Sequence, residues 1–169
     1  GENVDNSDGG AANNTFIGAG AGQDVTSGED NTFLGSGAGS AVTTGNNNVI
    51  IGQASNGNAD IDSNVIIGHS AGSKVGANGT NADHNIILGS GTVQLRGGNI
   101  DHNILMGYRT SRYLGDAQGS YNVHMGYEAA SNVVTASYNV AIGYQAMEDA
   151  GGNNTGGNAV TKNVAIGYR

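Results

Sequence analysis

The side chains best suited to contacting another molecule lie in the second half of the chain. All seven tyrosines lie at or after Tyr108, and Arg109, Arg112 and Tyr113 form the only local basic and aromatic patch of the sequence. Because tyrosine combines a flat apolar face with a polar tip, a row of tyrosines could serve as a platform for carbohydrate. The predicted ligand-binding residues are Tyr108, Arg109, Arg112, Tyr113, Tyr127 and Tyr144.

The titratable side chains form no recognisable catalytic or metal-binding motif. The acidic residues are scattered and lack the spacing of known calcium-binding loops. His84 and His102 each lie between Asp and Asn, so we expect them to form a surface ladder with those aspartates. The glycine-rich stretch 18–22 lacks the lysine and hydroxyl residue of a phosphate-binding loop. The sequence therefore predicts a protein that is not an enzyme and that uses no cofactor and no metal.

The 169-residue chain has the length of one domain, and its composition excludes several classes of protein. It contains no cysteine and no proline, which excludes a disulfide framework and a collagen helix. Its net charge of −8, from 6 basic and 14 acidic residues, argues against nucleic acid or anionic membranes as partners. No apolar run approaches the length of a membrane span, so we expect no membrane insertion.

One five-residue unit recurs along the chain: Asn, a β-branched residue, a mostly apolar residue, then Ile, Leu or Met, and Gly. Such a segment between Asn and Gly is typical of a short strand between turns. The repeat predicts an all-β, parallel β-roll or β-solenoid of about nine coils over residues 13–169, with residues 1–12 as a linker or cap. The nine units begin at Asn14, Asn31, Asn48, Asn64, Asn85, Asn103, Asn122, Asn139 and Asn163, at spacings of 16 to 24 residues.

The repeat also predicts details of each coil. A looser apolar position after each unit suggests a second short strand, and the longer connections at 73–84 and 147–162 are expected to form loops on one face. Tyr121 and Tyr138, which precede the unit's Asn, should form one column. A second column should contain the tyrosines that follow the unit's Gly, namely Tyr108, Tyr127, Tyr144 and Tyr168. The columns either bind carbohydrate or stiffen the roll by stacking.

Both faces of each predicted strand are apolar, because side chains alternate between faces along a strand. One face can fill the roll, and the other needs a partner, since a lone thin roll buries little apolar surface against the entropy of ordering the chain. The third position of the unit becomes smaller along the chain, as expected where subunits converge. We therefore predict a closed cyclic homo-oligomer whose intersubunit core contains Phe16, Phe33, Ile50, Ile66, Ile87, Leu105, His124, Ala141 and Ala165.

The last two units carry a family resemblance. The Asn-Val-Ala-Ile-Gly-Tyr segments at Asn139–Tyr144 and Asn163–Tyr168 resemble the head repeats of trimeric autotransporter adhesins. The Asn-Thr-Phe-Ile/Leu-Gly segments at Asn14 and Asn31 are also similar to repeats in bacteriophage tail fibres and other bacterial surface fibres. The resemblance implies a left-handed, trimeric parallel β-roll that forms the head of an extracellular fibre, on a bacterial surface or on a virion.

The function implied by the resemblance is adhesion to a glycan or protein on a target cell surface. Three other functions stay open: the receptor-binding domain of a phage tail fibre, a structural spacer that binds nothing, and a spike that degrades polysaccharide. The coils are longer than those of the adhesin heads, and their third position is often bulky. The fold is therefore the firmer expectation, and the receptor is left undetermined.

Overall fold

The chain forms an all-β parallel β-solenoid. The computed structural model describes residues 10–53, 60–76, 81–94, 99–114, 119–150 and 159–169, and none of these residues is helical. Nine short strands stack in chain order into one parallel sheet, and two further strands, β8 (Ala136–Ser137) and β10 (Val160–Thr161), pair with each other. The nine, called rungs below, are β1 (Thr15–Ile17), β2 (Thr32–Leu34), β3 (Val49–Ile51), β4 (Val65–Ile67), β5 (Ile86–Leu88), β6 (Ile104–Met106), β7 (Val123–Met125), β9 (Val140–Ile142) and β11 (Val164–Ile166).

The connections between rungs differ from the prediction in two respects. The structure has about six turns of solenoid rather than the predicted nine coils. Five of the eight connections contain residues outside the described ranges. Within those ranges the expected second strand is present only as β8 and β10, and elsewhere turns and isolated bridges take its place. Residues 1–9 of the expected linker, and residues 77–80 and 151–158 of the two longer connections, lie outside the description.

A buried ladder of asparagines holds the rungs in register. Asn103 is representative, since its backbone N–H and its side-chain Nδ2 both donate to Oδ1 of Asn85, at 3.0 Å each. The same Nδ2 also donates to the carbonyl oxygens of Asp101 (3.1 Å) and Gly119 (2.7 Å). The two bonds to the preceding asparagine recur in every unit that follows another. Each asparagine thus ties its rung to the one before it.

The glycine that ends each unit except the last is required by stacking as well as by its backbone conformation. Gly68 has φ +140°, a region that side chains rarely adopt, and a Cβ at this position would lie 2.6 Å from the carbonyl oxygen of Gly89 on the next rung. The last of these glycines, Gly167, has a similar φ of +136° but would meet nothing within 4 Å. A column of glycines therefore lets successive turns approach at the spacing of a β-sheet.

The structure corrects the predicted trimer core. The third-position side chains point into the interior of their own chain, where Phe33, Ile50 and Leu105 are fully buried and Phe16 is 4% exposed. Eight of the nine are buried there, and Ala165, on the last rung, is partly exposed. These residues form the core of a single solenoid and are not available to a second copy. The prediction placed the wrong face of the strand at the trimer interface. Both faces of the unit are apolar, and alternation alone does not say which of them lies inside the solenoid.

The decreasing size of the third position has an explanation within the chain. Phe16 and Phe33 stack at 4.8 Å between ring centroids, and each ring packs where a Cβ on Gly22 or Gly39, respectively, would overlap it. The residue equivalent to these two glycines in the eighth unit is Met147, which packs against the core, and the third position of that unit is the small Ala141. A large residue on the rung is thus matched by a small residue on the turn, and a small residue on the rung by a large residue on the turn. This exchange keeps the interior filled at constant coil size.

Candidate functional site

The outer face of the sheet is apolar, and its side chains are exposed or partly exposed. It consists of the second and fourth positions of the unit, of which 16 of 18 are apolar and the other two are Thr15 and Thr32. Ile17 is 50% exposed, Leu34 43% and Ile104 37%. Nine rungs at about 4.8 Å each give a surface roughly 40 Å long. An apolar patch of this extent marks an interaction surface.

The predicted column of tyrosines after the unit's Gly is confirmed. Tyr108, Tyr127, Tyr144 and Tyr168 stack with centroid distances of 5.4, 5.1 and 5.1 Å, and their rings are close to parallel. Stacking covers the ring faces of the two inner members, so their edges and hydroxyl groups are what solvent reaches. Sugar rings bind to the exposed faces of aromatic side chains. The geometry therefore suits Tyr127 and Tyr144 to packing better than to carrying a sugar.

A second aromatic column is longer than the sequence suggested. Tyr121 and Tyr138 stack at 5.0 Å as predicted, and the column continues through His102 (5.0 Å from Tyr121) to His84 (4.9 Å from His102). The two histidines were predicted to form a separate ladder with aspartates. All four residues directly precede the unit's Asn, and this shared position is the signal that would have identified the column.

The aspartates beside these histidines bond to the backbone instead. The carboxylate of Asp83 accepts a hydrogen bond from the backbone N–H of Asp62 (2.8 Å), and the carboxylate of Asp101 accepts one from the N–H of Asp83 (3.0 Å). Burial raises the pKa of Asp83, and the nearby carboxylates of Asp62 and Asp101 add to the increase. The described residues contain no group of three or more His, Asp or Glu side chains that could hold a metal ion.

The predicted basic and aromatic patch forms two separate pairs. The Arg109 guanidinium lies 5.0 Å from the centroid of the Tyr108 ring, and one of its nitrogens is 3.8 Å from a Glu128 carboxylate oxygen. Arg112 lies 5.5 Å from the ring centroid of its neighbour Tyr113. The structure therefore brings Tyr108, Tyr127 and Tyr144 together with Arg109. Arg112 and Tyr113 form their own contact further along the same turn.

His124 is a buried histidine with one hydrogen bond. Its Nδ1 lies 2.6 Å from Ser111 Oγ, and its Nε2 has no hydrogen-bond partner among the described residues. The side chain is fully buried in the interior of the solenoid, between Leu105 and Ala141 on the adjacent rungs. Burial lowers its pKa to about 4, because the apolar surroundings disfavour the imidazolium.

This histidine should make the fold sensitive to acid. The unfolded chain binds a proton at His124 below about pH 6.5, whereas the native chain does so only near pH 4, so the unfolding free energy should fall as the pH decreases between these values. The full loss should be about 3 kcal/mol. His124→Asn, which keeps an amide near Ser111 but does not titrate, should flatten this part of the pH dependence. Urea denaturation at pH 4 to 7 measures both proteins, and equal slopes would contradict the assignment.

The comparisons with other proteins identify no family for this chain, so the fold is the main basis for inferring its function. The chain matches no protein-family model, no curated protein and no solved structure with which it was compared. The parallel β-solenoid is compatible with a β-roll repeat, and the predicted adhesin or tail-fibre family stays a prediction. In the part of the chain that the structure describes, no helix is long and apolar enough to cross a membrane.

Proposed function

We propose that the chain is the head of a homotrimeric extracellular fibre and that it adheres to a glycan or protein on a target cell surface. The outer apolar face is the observation that carries the proposal. Sixteen apolar side chains form two continuous columns along the sheet, and exposed apolar columns on a regular solenoid favour association between identical faces of symmetry-related copies. Three copies that direct this face toward a common axis would remove it from water.

The adhesive part of the proposal rests on what such a trimer would present outward. Its turns would present Arg109 and the Arg112–Tyr113 pair to solvent on a stiff support. In an acidic chain, these arginines are suited to acidic or glycan partners. The support for a surface fibre is the resemblance of the repeats to adhesin heads and phage tail fibres.

A spacer within a fibre is the second candidate, and one observation favours it. The stacked tyrosines cover each other's faces, so the inner members of the column lack the open ring surface on which a sugar would bind. A spacer needs length and stiffness only, and the asparagine ladder and the glycine column both contribute to stiffness. Binding to cells or glycans separates the two functions.

The predicted assembly can be tested by light scattering on a size-exclusion column. We expect a mass three times the 16.9 kDa of one chain. Ile86→Lys combined with Ile104→Lys places charges on adjacent rungs of the outer face and should yield a folded particle of one-chain mass. The matched control, Gln23→Lys combined with Ser27→Lys, changes two exposed residues of a connection between rungs and should stay trimeric. A folded wild-type monomer would contradict the proposal.

Adhesion is then measured with the trimer on glycan arrays and on intact cells. Arg109→Ala combined with Arg112→Ala should reduce binding without changing the mass of the particle. A trimer that binds neither cells nor glycans would favour the spacer. Release of reducing ends from capsular polysaccharide would instead identify a degrading spike.

A further inference from the structure

The two edges of the outer face become aromatic on the same rungs. We call the residue directly before each unit's Asn the start margin and the residue directly after its Gly the end margin. On β7 these are Tyr121 and Tyr127, which are 49% and 42% exposed. The neighbouring rungs β6 and β9 are also aromatic at both margins, with His102 and Tyr108 on β6 and Tyr138 and Tyr144 on β9.

The first four rungs lack this pairing. Their start margins are Asn13, Asp30, Asn47 and Ser63, and their end margins are Ala19, Ser36, Gln53 and His69. Stacking within one chain explains why each column is continuous, because adjacent rungs lie at the distance of stacked rings. Stacking within one chain does not explain why both margins become aromatic on nearly the same rungs, since the two columns lie at opposite edges of the sheet.

Rotational symmetry would bring the two margins together. If three sheets face an axis parallel to the solenoid, rotation keeps every residue at its own height. The start margin of one sheet then lies beside the end margin of the next, on the same rung. An antiparallel pairing would reverse the order of the rungs and place aromatic margins against the polar margins of the first rungs. When the sheets are in contact over their full length, only the parallel arrangement matches aromatic margins with aromatic margins.

We propose that the start-margin column His102–Tyr121–Tyr138 of one copy packs against the end-margin column Tyr108–Tyr127–Tyr144 of the next copy, and that this contact selects the parallel direction of the trimer. The inference rests on the proposed trimer and adds to it the residues that select one arrangement. The apolar columns of the outer face are similar on most rungs, so they do not distinguish a parallel from an antiparallel arrangement. The stacked aromatic margins lie only on β5 to β11 and do distinguish the two, while rotation about the common axis fixes the axial register.

Cysteine pairs test the geometry, because the chain has no native cysteine. Tyr121→Cys and Tyr127→Cys in one chain, treated with a short bismaleimide, should give covalent dimers and trimers on a denaturing gel. Each single variant should stay monomeric on that gel. The pair Asn47→Cys and Tyr127→Cys is the matched control, since its margins are four rungs, or about 19 Å, apart. Light scattering on each variant checks that it is trimeric.

Exchange of the aromatic residues tests their contribution. Tyr121→Asn with Tyr138→Asn introduces the residue found at the start margin of β1 and β3, and Asn tolerates the positive φ of 61° and 60° at these positions. We expect the concentration at which the trimer dissociates to rise at least about tenfold, because aromatic pairs are lost at all three interfaces. Lys162→Asn changes a non-aromatic start margin with φ 60° and should leave this concentration unchanged.

The outcomes separate this inference from the proposed assembly. A wild-type monomer would overturn both. A trimer that gives no covalent product from the double cysteine variant, or whose dissociation is unchanged in the double asparagine variant, would overturn the aromatic contact and leave the trimer standing. Crosslinking of either single variant would also overturn it, because a parallel rotational arrangement does not place one margin against itself.

Discussion

Replacing Gly68 with alanine should prevent stable folding or lower the free energy of unfolding by more than about 4 kcal/mol. The new Cβ would lie 2.6 Å from the carbonyl oxygen of Gly89 and 2.7 Å from its carbon, and both belong to the backbone of the next rung. These atoms cannot move away without separating two paired strands. The φ of +140° adds about 1–3 kcal/mol of strain for any residue other than glycine.

A control at the end of the sheet separates the two effects. Gly167→Ala has nearly the same φ, +136°, but its Cβ would meet nothing within 4 Å. It should therefore lose only the conformational contribution, about 1–3 kcal/mol. Chemical denaturation followed by circular dichroism compares both variants with the wild type. If the two variants were destabilised equally, contact between stacked turns would not be the reason for the glycine column.

Replacing Asn103 with alanine should be the second most damaging change, with a loss of about 2–6 kcal/mol. Oδ1 of Asn103 accepts hydrogen bonds from the backbone N–H of Asn122 (2.9 Å) and from its Nδ2 (3.0 Å). The Nδ2 of Asn103 donates to the carbonyl oxygen of Gly119 (2.7 Å). The variant leaves a buried N–H and a buried C=O without these partners, and each unsatisfied group costs about 1–3 kcal/mol.

Asn163→Ala is the matched control for the ladder. Asn163 belongs to the last rung of the sheet, where it is exposed, and its backbone N–H would still donate to Oδ1 of Asn139 (3.0 Å) after substitution. We expect a loss below about 1 kcal/mol. Thermal denaturation of the two variants measures the difference. Equal melting temperatures would mean that the asparagines align the rungs without stabilising them.

Several features of this protein could be predicted because each depends on residues at a fixed spacing. The Asn-to-Gly unit located every rung, and parallel stacking of identical units placed the tyrosines after each Gly in one column. The asparagine ladder and the glycine contacts involve atoms of adjacent turns, so the sequence marked their positions without indicating their role. His84 and His102 each follow an aspartate in the sequence, which suggests a hydrogen-bonded pairing, whereas their stacking follows from their shared position before the unit's Asn.

The sequence by itself determined the strands, their order and their parallel register, because nine copies of one unit can stack in only one repeating way. Only the tertiary structure decided which apolar face is the core. The deciding group is the unit's asparagine, whose amide must be buried to bond with the asparagines of adjacent rungs. The third position lies on the same side of the strand as that asparagine, so it points inward as well. The second and fourth positions are then left as the outer face.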